Sequence, residues 1–143
     1  MNTRKLAALG LALTIPVLLG AGEPGTLTVN ISGLRNTTGT LIACVFRDKK
    51  GFPTCQKSTT AIKQSVRISG TSMTLRFNGI ASGAYTVSVQ HDEDGNGKLK
   101  TNFIGMPKEG VGISNNPGGI PGWTKSLVRV NGSTTIAIKM KYL

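Results

Sequence analysis

The sequence predicts an all-β domain, a seven-stranded antiparallel two-sheet sandwich of the immunoglobulin or transthyretin type. Three observations carry that expectation. Apolar residues recur with period two, and no stretch of the mature chain shows helical period. The apolar runs are short and are separated by turn residues, with 19 glycines in 143 residues. The composition excludes a coiled coil, which needs heptads rich in Ala, Glu, Lys and Leu, and the apolar runs between turns exclude a collagen-like or disordered chain.

The chain opens with the grammar of export. Arg4 and Lys5 form a positive start, Leu6 to Leu19 an apolar stretch with Pro16 near its end, and Gly20-Ala21-Gly22 the small residues a signal peptidase accepts. Residues 1–22 are therefore expected to be a signal peptide cut before Glu23, leaving one domain over 23–143 in the bacterial periplasm or outside the cell. The apolar stretch is short for a transmembrane helix, so the mature product should not span a membrane. A domain of this size can bury one core without a structural metal.

The first strand alternates Leu27, Val29 and Ile31 with Thr28 and Asn30, which buries one face. Leu41 to Phe46 is apolar on both sides, as a central strand would be. Ile62 to Ile68 is a weaker candidate. Met73, Leu75 and Phe77, then Tyr85, Val87 and Val89, restore strict alternation with polar neighbours. Leu127 to Val130 and Ile136 to Met140 complete seven strands, and Asn131-Gly132 between them reads as a type I′ hairpin turn, so the last two strands should pair.

Between Tyr85–Val89 and the last pair lies a connection of about thirty residues, far beyond the usual length of roughly four to six. Phe103, Ile104, Met106, Val111, Ile113, Ile120 and Trp123 make it too apolar for a solvated linker. An ordered loop over 91–123, folded on one end of the sandwich, is expected.

Export makes the two cysteines a pair. Cys44 and Cys55 flank the turn-rich stretch Arg47 to Thr54, which can fold back and join them in a disulfide. The spacing is not Cys-x-x-Cys, which argues against a redox-active dithiol.

The chain is strongly basic, with 17 Lys plus Arg against 6 Asp plus Glu. Nucleic acid is not the expected partner, because the basic residues are spread singly and lack interleaved aromatics. In an envelope the polyanions are phospholipid head groups, lipopolysaccharide and wall polymers, and an anionic envelope component is the expected attraction. The plainer reading is a solvated basic face.

Within the loop, Asp92, Asp94 and Asn96 followed by Gly97 reproduce the start of a calcium-binding turn, in which alternate oxygen ligands converge and Gly allows the bend. Lys98 would add its carbonyl, and Asn102 or Glu109 would complete the shell of a weak calcium site. The position that should carry a bidentate acid falls on Phe103, and Lys100 brings an ammonium to the same place. The alternative is a polar turn closed by its own hydrogen bonds and neighbouring lysines.

His91, Ser114, Asn115, Asn116 and Trp123 are the candidates for a ligand surface, with amides and one aromatic plate suited to carbohydrate. The same side chains can satisfy backbone groups and plug the sandwich end. His91 continues the inward parity of Tyr85, Val87 and Val89, which suggests a hydrogen-bonded structural role. No nucleophile elbow accompanies it and two bridged cysteines leave too few ligands for zinc, so no catalytic residue is assigned. The expectation is a non-enzymatic exported module that binds or packs against an envelope component through the 91–123 loop. The alternatives are a small hydrolase using His91 with Asp92, Asp94 and Glu109, and a purely structural interaction domain pairing through a sheet edge.

The run from His91 through Asp92-Glu93-Asp94-Gly95-Asn96-Gly97-Lys98-Leu99, Asn102 to Gly110 and Gly112 to Asn116 resembles the signature of small exported bacterial proteins known as domain of unknown function 2141. Gly33-Leu34-Arg35 and Gly51-Phe52-Pro53 are similar to that family's other landmarks. The resemblance implies a secreted or periplasmic β-sandwich with no established biochemical activity. Where the family usually has Asp after Gly-Lys-Leu, this chain has Lys100.

Overall fold

Period-two alternation resolves into eight strands in the computed structural model, which describes residues 10, 12–16 and 22–143. The export signal expected over 1–22 lies largely outside the described residues. The strands are β1 (Gly25–Ser32), β2 (Thr40–Phe46), β3 (Ile62–Arg67), β4 (Met73–Ile80), β5 (Gly83–Asp92), β6 (Val111–Ile113), β7 (Val128–Val130) and β8 (Ser133–Lys139), with a 3-10 turn at Cys55–Lys57 and one turn of α-helix, α1 (Trp123–Ser126). One sheet has the order β4-β1-β8. The other runs β3-β2-β5-β6, and β7 pairs with β5 as well.

The two sheets face each other across a single apolar interior. Leu27, Val29 and Ile31 of β1 and Leu75 and Phe77 of β4 form one cluster with Leu41, Ala43 and Val45 of β2 and Tyr85, Val87 and Val89 of β5. Fully burying such a side chain contributes about 1.5–3 kcal/mol, so this interior dominates the stability. As expected, β2 is central, flanked by β3 and β5.

Three details differ from the sequence-based expectation. The eighth strand, β6, lies inside the segment read as loop, since three residues show too little alternation to register. Asn131-Gly132 does not close a hairpin: β7 pairs with the start of β5, from Gly83↔Val130 to Tyr85↔Val128, while β8 pairs with β1. The turn carries the chain from one sheet to the other, because turn chemistry sets a change of direction and not the strand that receives it. That last pairing is parallel, joining the first and last strands of the domain.

The fourth difference has functional weight. β5 was expected to show one face to solvent, yet every residue from Tyr85 to Asp92 is buried. Chain from the segments 47–61 and 93–127, apart from β6 itself, covers the outer face of the larger sheet. Part of that covering is apolar: Ile42, Cys44, Phe46 and Cys55 cluster with Phe52, Ala61 and Trp123. Cys44 and Cys55 are disulfide-bonded with Cα atoms 5.8 Å apart, and Phe52 stacks edge-on against both Phe46 and Trp123.

Close backbone approaches hold the layers together. A Cβ at Gly39, where φ is +78°, would strike the Asp92 carbonyl, and one at Gly112 would strike Ile138 and Met140 where β6 crosses the end of β8. Among the described residues, no helix is long and apolar enough to cross a membrane.

Candidate functional site

Successive side chains of a strand point to opposite faces, so the His91-Asp92 pair at the end of β5 splits between two environments. His91 turns inward and is fully buried. Its Nε2 lies 2.7 Å from the Thr38 carbonyl and its Nδ1 2.7 Å from the Tyr142 hydroxyl. A carbonyl can only accept, so Nε2 carries the proton and Nδ1 accepts from Tyr142 O–H. The Tyr142 oxygen in turn accepts from the Arg35 N–H at 3.2 Å. Burial pushes the Tyr142 hydroxyl up from its ordinary value, which keeps it a donor. Arg35 lies 4.6 Å over the Tyr142 ring and forms an ion pair with Glu93. Burial raises Glu93, but the Asn36 amide and the Arg35 guanidinium outweigh it and hold the carboxyl below its ordinary value.

His91 is thus a hydrogen-bonded core residue with both ring nitrogens engaged, and it lies across the strand from Asp92. Tyr142, Arg35 and Asn36 were not among the sequence candidates. The signal for Tyr142 was present, since it continues the inward parity of Ile138 and Met140 two residues at a time.

On the outer face, Asp92 accepts from the Asn96 and Gly97 amides, the latter at 2.7 Å. Glu109, also buried, accepts from the backbone amides of Glu93 and Lys100 and from the Gln90 side chain. Asp94 is exposed; Lys100 forms an ion pair with it at 3.0 Å and holds its carboxyl below its ordinary value, while Asp94 raises the Lys100 ammonium. Ligand atoms of Asp92, Asp94 and Glu109 lie within 4.8 Å of one another. The three could hold a metal ion. Of the remaining candidates from sequence, Asn96 sits against the cluster, its amide donating to Asp92 and Asp94 while its Oδ1 accepts from the Lys98 amide, and Asn102 Oδ1 accepts from the Ile104 and Met106 amides in a turn of its own.

Where the loop folds back over the end of β5 its backbone amides need partners, and the buried carboxylates of Asp92 and Glu109 supply them. The acidic pattern that reads in sequence as a calcium turn serves here to fasten the loop to β5.

The residues expected at a ligand surface do similar work. The Ser114 hydroxyl accepts from the Val87 amide and donates to the Ser126 carbonyl. Asn115 and Asn116 adopt positive φ; Asn115 donates to the Lys125 and Leu127 carbonyls, and Asn116 brackets β8 by donating to the Ala137 carbonyl and accepting from the Lys139 amide. Trp123 belongs to the apolar layer around the disulfide. The Ser114 hydroxyl and the side-chain amides of Asn115 and Asn116 are thus engaged with the chain's own backbone.

The concavity the loop creates lies beside them. A cavity of about 590 Å³ opens on the outer face of β5 and β6, within the roughly 300–1,000 Å³ of small-molecule sites. Its floor is Ser88, Gln90, Val111 and Ile113, one wall is Pro53 to Cys55, and its rim is Leu99, Met106, Pro107 and Ile120. Lys141 and Leu143 close one end, and the Lys141 ammonium donates to the Pro117 carbonyl. The lining is mostly apolar. No sequence pattern marks it, since its residues come from five separated stretches.

The model of the family described as "Uncharacterized protein conserved in bacteria (DUF2141)" matches residues 29–137, which include every strand but the start of β1 and the end of β8. The chain belongs to this family. No curated protein and no solved structure shows a match to it. In this DUF2141 chain, the matched span includes the run from His91 to Asn116, which holds the end of β5, the loop fastened by Asp92 and Glu109, β6 and part of the lining of the cavity.

Proposed function

We propose that this chain is an exported, non-enzymatic binding module that takes an apolar portion of an envelope component into the groove beneath the 91–123 loop. The observation that carries the reading is the 590 Å³ cavity, apolar and accessible, with exposed Ile120 at its mouth and Lys141 at one end. An apolar body with one cation suits an amphiphile bearing an anionic head. Two further features support a non-catalytic role. His91 and Asp92 lie on opposite faces of β5, and the Ser114 hydroxyl is bonded on both sides, so neither is disposed for acyl transfer. Export is supported by the disulfide, which fits an oxidising compartment.

The test is titration with the fluorescent anionic probe anilinonaphthalene sulfonate and displacement by dodecanoate. Saturable binding with one site is expected, weakened at least about tenfold in Ile120→Asp, which alters an exposed rim residue without touching the core. Absence of saturable binding, or equal binding by the variant, would sink the groove as the site.

A divalent cation at Asp92, Asp94 and Glu109 is the second reading, favoured by the convergence of their oxygens within 4.8 Å. An ion there would have to displace the Lys100 ammonium from Asp94. If it binds only the folded state, Ca²⁺ should raise the melting temperature through the millimolar range, by the equivalent of about 1.4 kcal/mol at tenfold excess over Kd. Lys100→Asp should enlarge the rise. A flat titration for both proteins against a magnesium control at equal ionic strength removes the site.

A further inference from the structure

Beyond the groove, residues 100–108 leave the body of the domain as a small closed hairpin. Thr101 and Pro107 form an antiparallel bridge, and the Lys108 amide donates to the Lys100 carbonyl at 2.8 Å. The Asn102 amide donates to the Met106 carbonyl, and the Asn102 side chain accepts from the Ile104 and Met106 amides. With those backbone groups satisfied internally, what the tip offers outward is side chains. Phe103 is 100% exposed and Ile104 69%. A hydrogen-bonded turn that holds an aromatic residue wholly and a β-branched residue mostly in water presents an apolar patch that a partner can cover.

The base of the hairpin has the opposite character. Lys98 and Lys108 are exposed and form no ion pair with a described residue, while Lys100 is committed to Asp94. Glu109 clamps this base by accepting from the Lys100 and Glu93 amides. Three steps of extended chain separate Lys100 from Phe103, on the order of 10 Å. That matches the depth of roughly 5–10 Å to which interfacial elements sink into the boundary of head groups and acyl chains. An apolar tip above a cationic collar has the polarity profile of an anionic bilayer surface. A protein partner would have to offer an apolar pocket ringed by acids, and among the described residues the apolar cavity is lined by Lys141 and by no acid.

We infer that the 101–107 hairpin is a membrane-docking tip, which places Phe103 and Ile104 at the acyl boundary of an anionic phospholipid surface while Lys98 and Lys108 meet its phosphates. The inference goes beyond the groove: Gly105, Met106 and Pro107 of the hairpin line that cavity, but the tip residues Phe103 and Ile104 do not.

The experiment is cosedimentation of the full chain with sucrose-loaded vesicles of phosphatidylglycerol and phosphatidylethanolamine, against vesicles of phosphatidylcholine alone. Every variant keeps the same N-terminal segment, so differences between variants report the hairpin. Partitioning to the anionic vesicles should fall about tenfold or more in the double variant Phe103→Asp, Ile104→Asp. In Lys98→Glu with Lys108→Glu it should fall and lose its salt dependence. Ile120→Asp, the groove variant, should partition like the parent, which keeps the two readings separable. Phe103→Trp should shift its emission to the blue on anionic vesicles, over a Trp123 background recorded in the parent. Equal partitioning of parent and Phe103→Asp, Ile104→Asp, or no blue shift from Phe103→Trp, would overturn the inference and leave the tip to a protein partner.

Discussion

Between the sheets, Phe77, Val87 and Val89 join one apolar cluster, whereas on the other face of the same β5 strand Ser88, Gln90 and Asp92 are nearly as deeply buried and yet polar. The inner face is filled by side chains from neighbouring strands. The outer face is covered by irregular chain, whose amides cannot be left dry. Gln90 reaches Glu109 and Gln56, Asp92 takes the Asn96 and Gly97 amides, and Glu109 takes those of Glu93 and Lys100. The inner face is therefore held by area, and the outer face by an apolar cluster around the disulfide together with paired donors and acceptors at the end of β5. The second mode gives less stability per residue, but it holds a loop in place while leaving a groove and a hairpin free to meet a ligand.

The largest effect expected from this contrast is in the interior. Phe77→Ala should cost about 3–5 kcal/mol by denaturant unfolding, because it removes a fully buried ring and leaves a cavity in the interior between the two sheets. Every probe should report the same loss, since the core unfolds as a unit. A cost below 1 kcal/mol would mean the two sheets are not the principal source of stability.

Glu109→Ala should do something different. It strips the acceptor from the part-buried Glu93 and Lys100 amides and from the buried Gln90 side chain and should cost about 1–3 kcal/mol, with the loss concentrated locally. Amide exchange at Glu93 and Lys100 should accelerate while exchange in β1 and β2 stays near parent rates. Uniform acceleration would erase the distinction between the two layers. Exposed Lys63→Ala on β3 serves as the control and should change neither.

The smallest effect is electrostatic. Glu93 is held below its ordinary value of 4.5 by Asn36 and Arg35 despite the opposing effect of burial. The unfolded chain therefore takes up this proton at higher pH than the folded one. The stability it contributes is fully present above about pH 4.5 and is lost as pH falls through the lowered folded value. Glu93→Gln should flatten the acid limb of the stability profile below that pH while leaving neutral stability nearly unchanged, because the site is partly solvated. An unchanged acid limb would mean the Arg35-Glu93 pair contributes nothing to the outer layer.

The alternation of Leu27, Val29 and Ile31, of Met73, Leu75 and Phe77, and of Tyr85, Val87 and Val89 determined the sandwich and its interior before any coordinates, since a strand with one buried face must alternate. The disulfide was legible for a similar reason: a short turn-rich connection between two cysteines leaves little choice of partner. The acidic pattern at Asp92, Asp94 and Asn96 was equally visible, but its meaning was not, because the same oxygens can serve a cation or a backbone amide and sequence spacing does not say which is nearer. Tertiary structure alone decided that Lys100 would reach Asp94, that Glu109 would fold back onto the Glu93 and Lys100 amides, and that Asn131-Gly132 would send β8 to the opposite sheet. It also decided the groove, whose walls come from stretches as distant as Pro53 and Leu143. Local patterns encode which face of an element is buried; they do not encode which distant element arrives to bury it, because that choice is made by the packing of the whole chain.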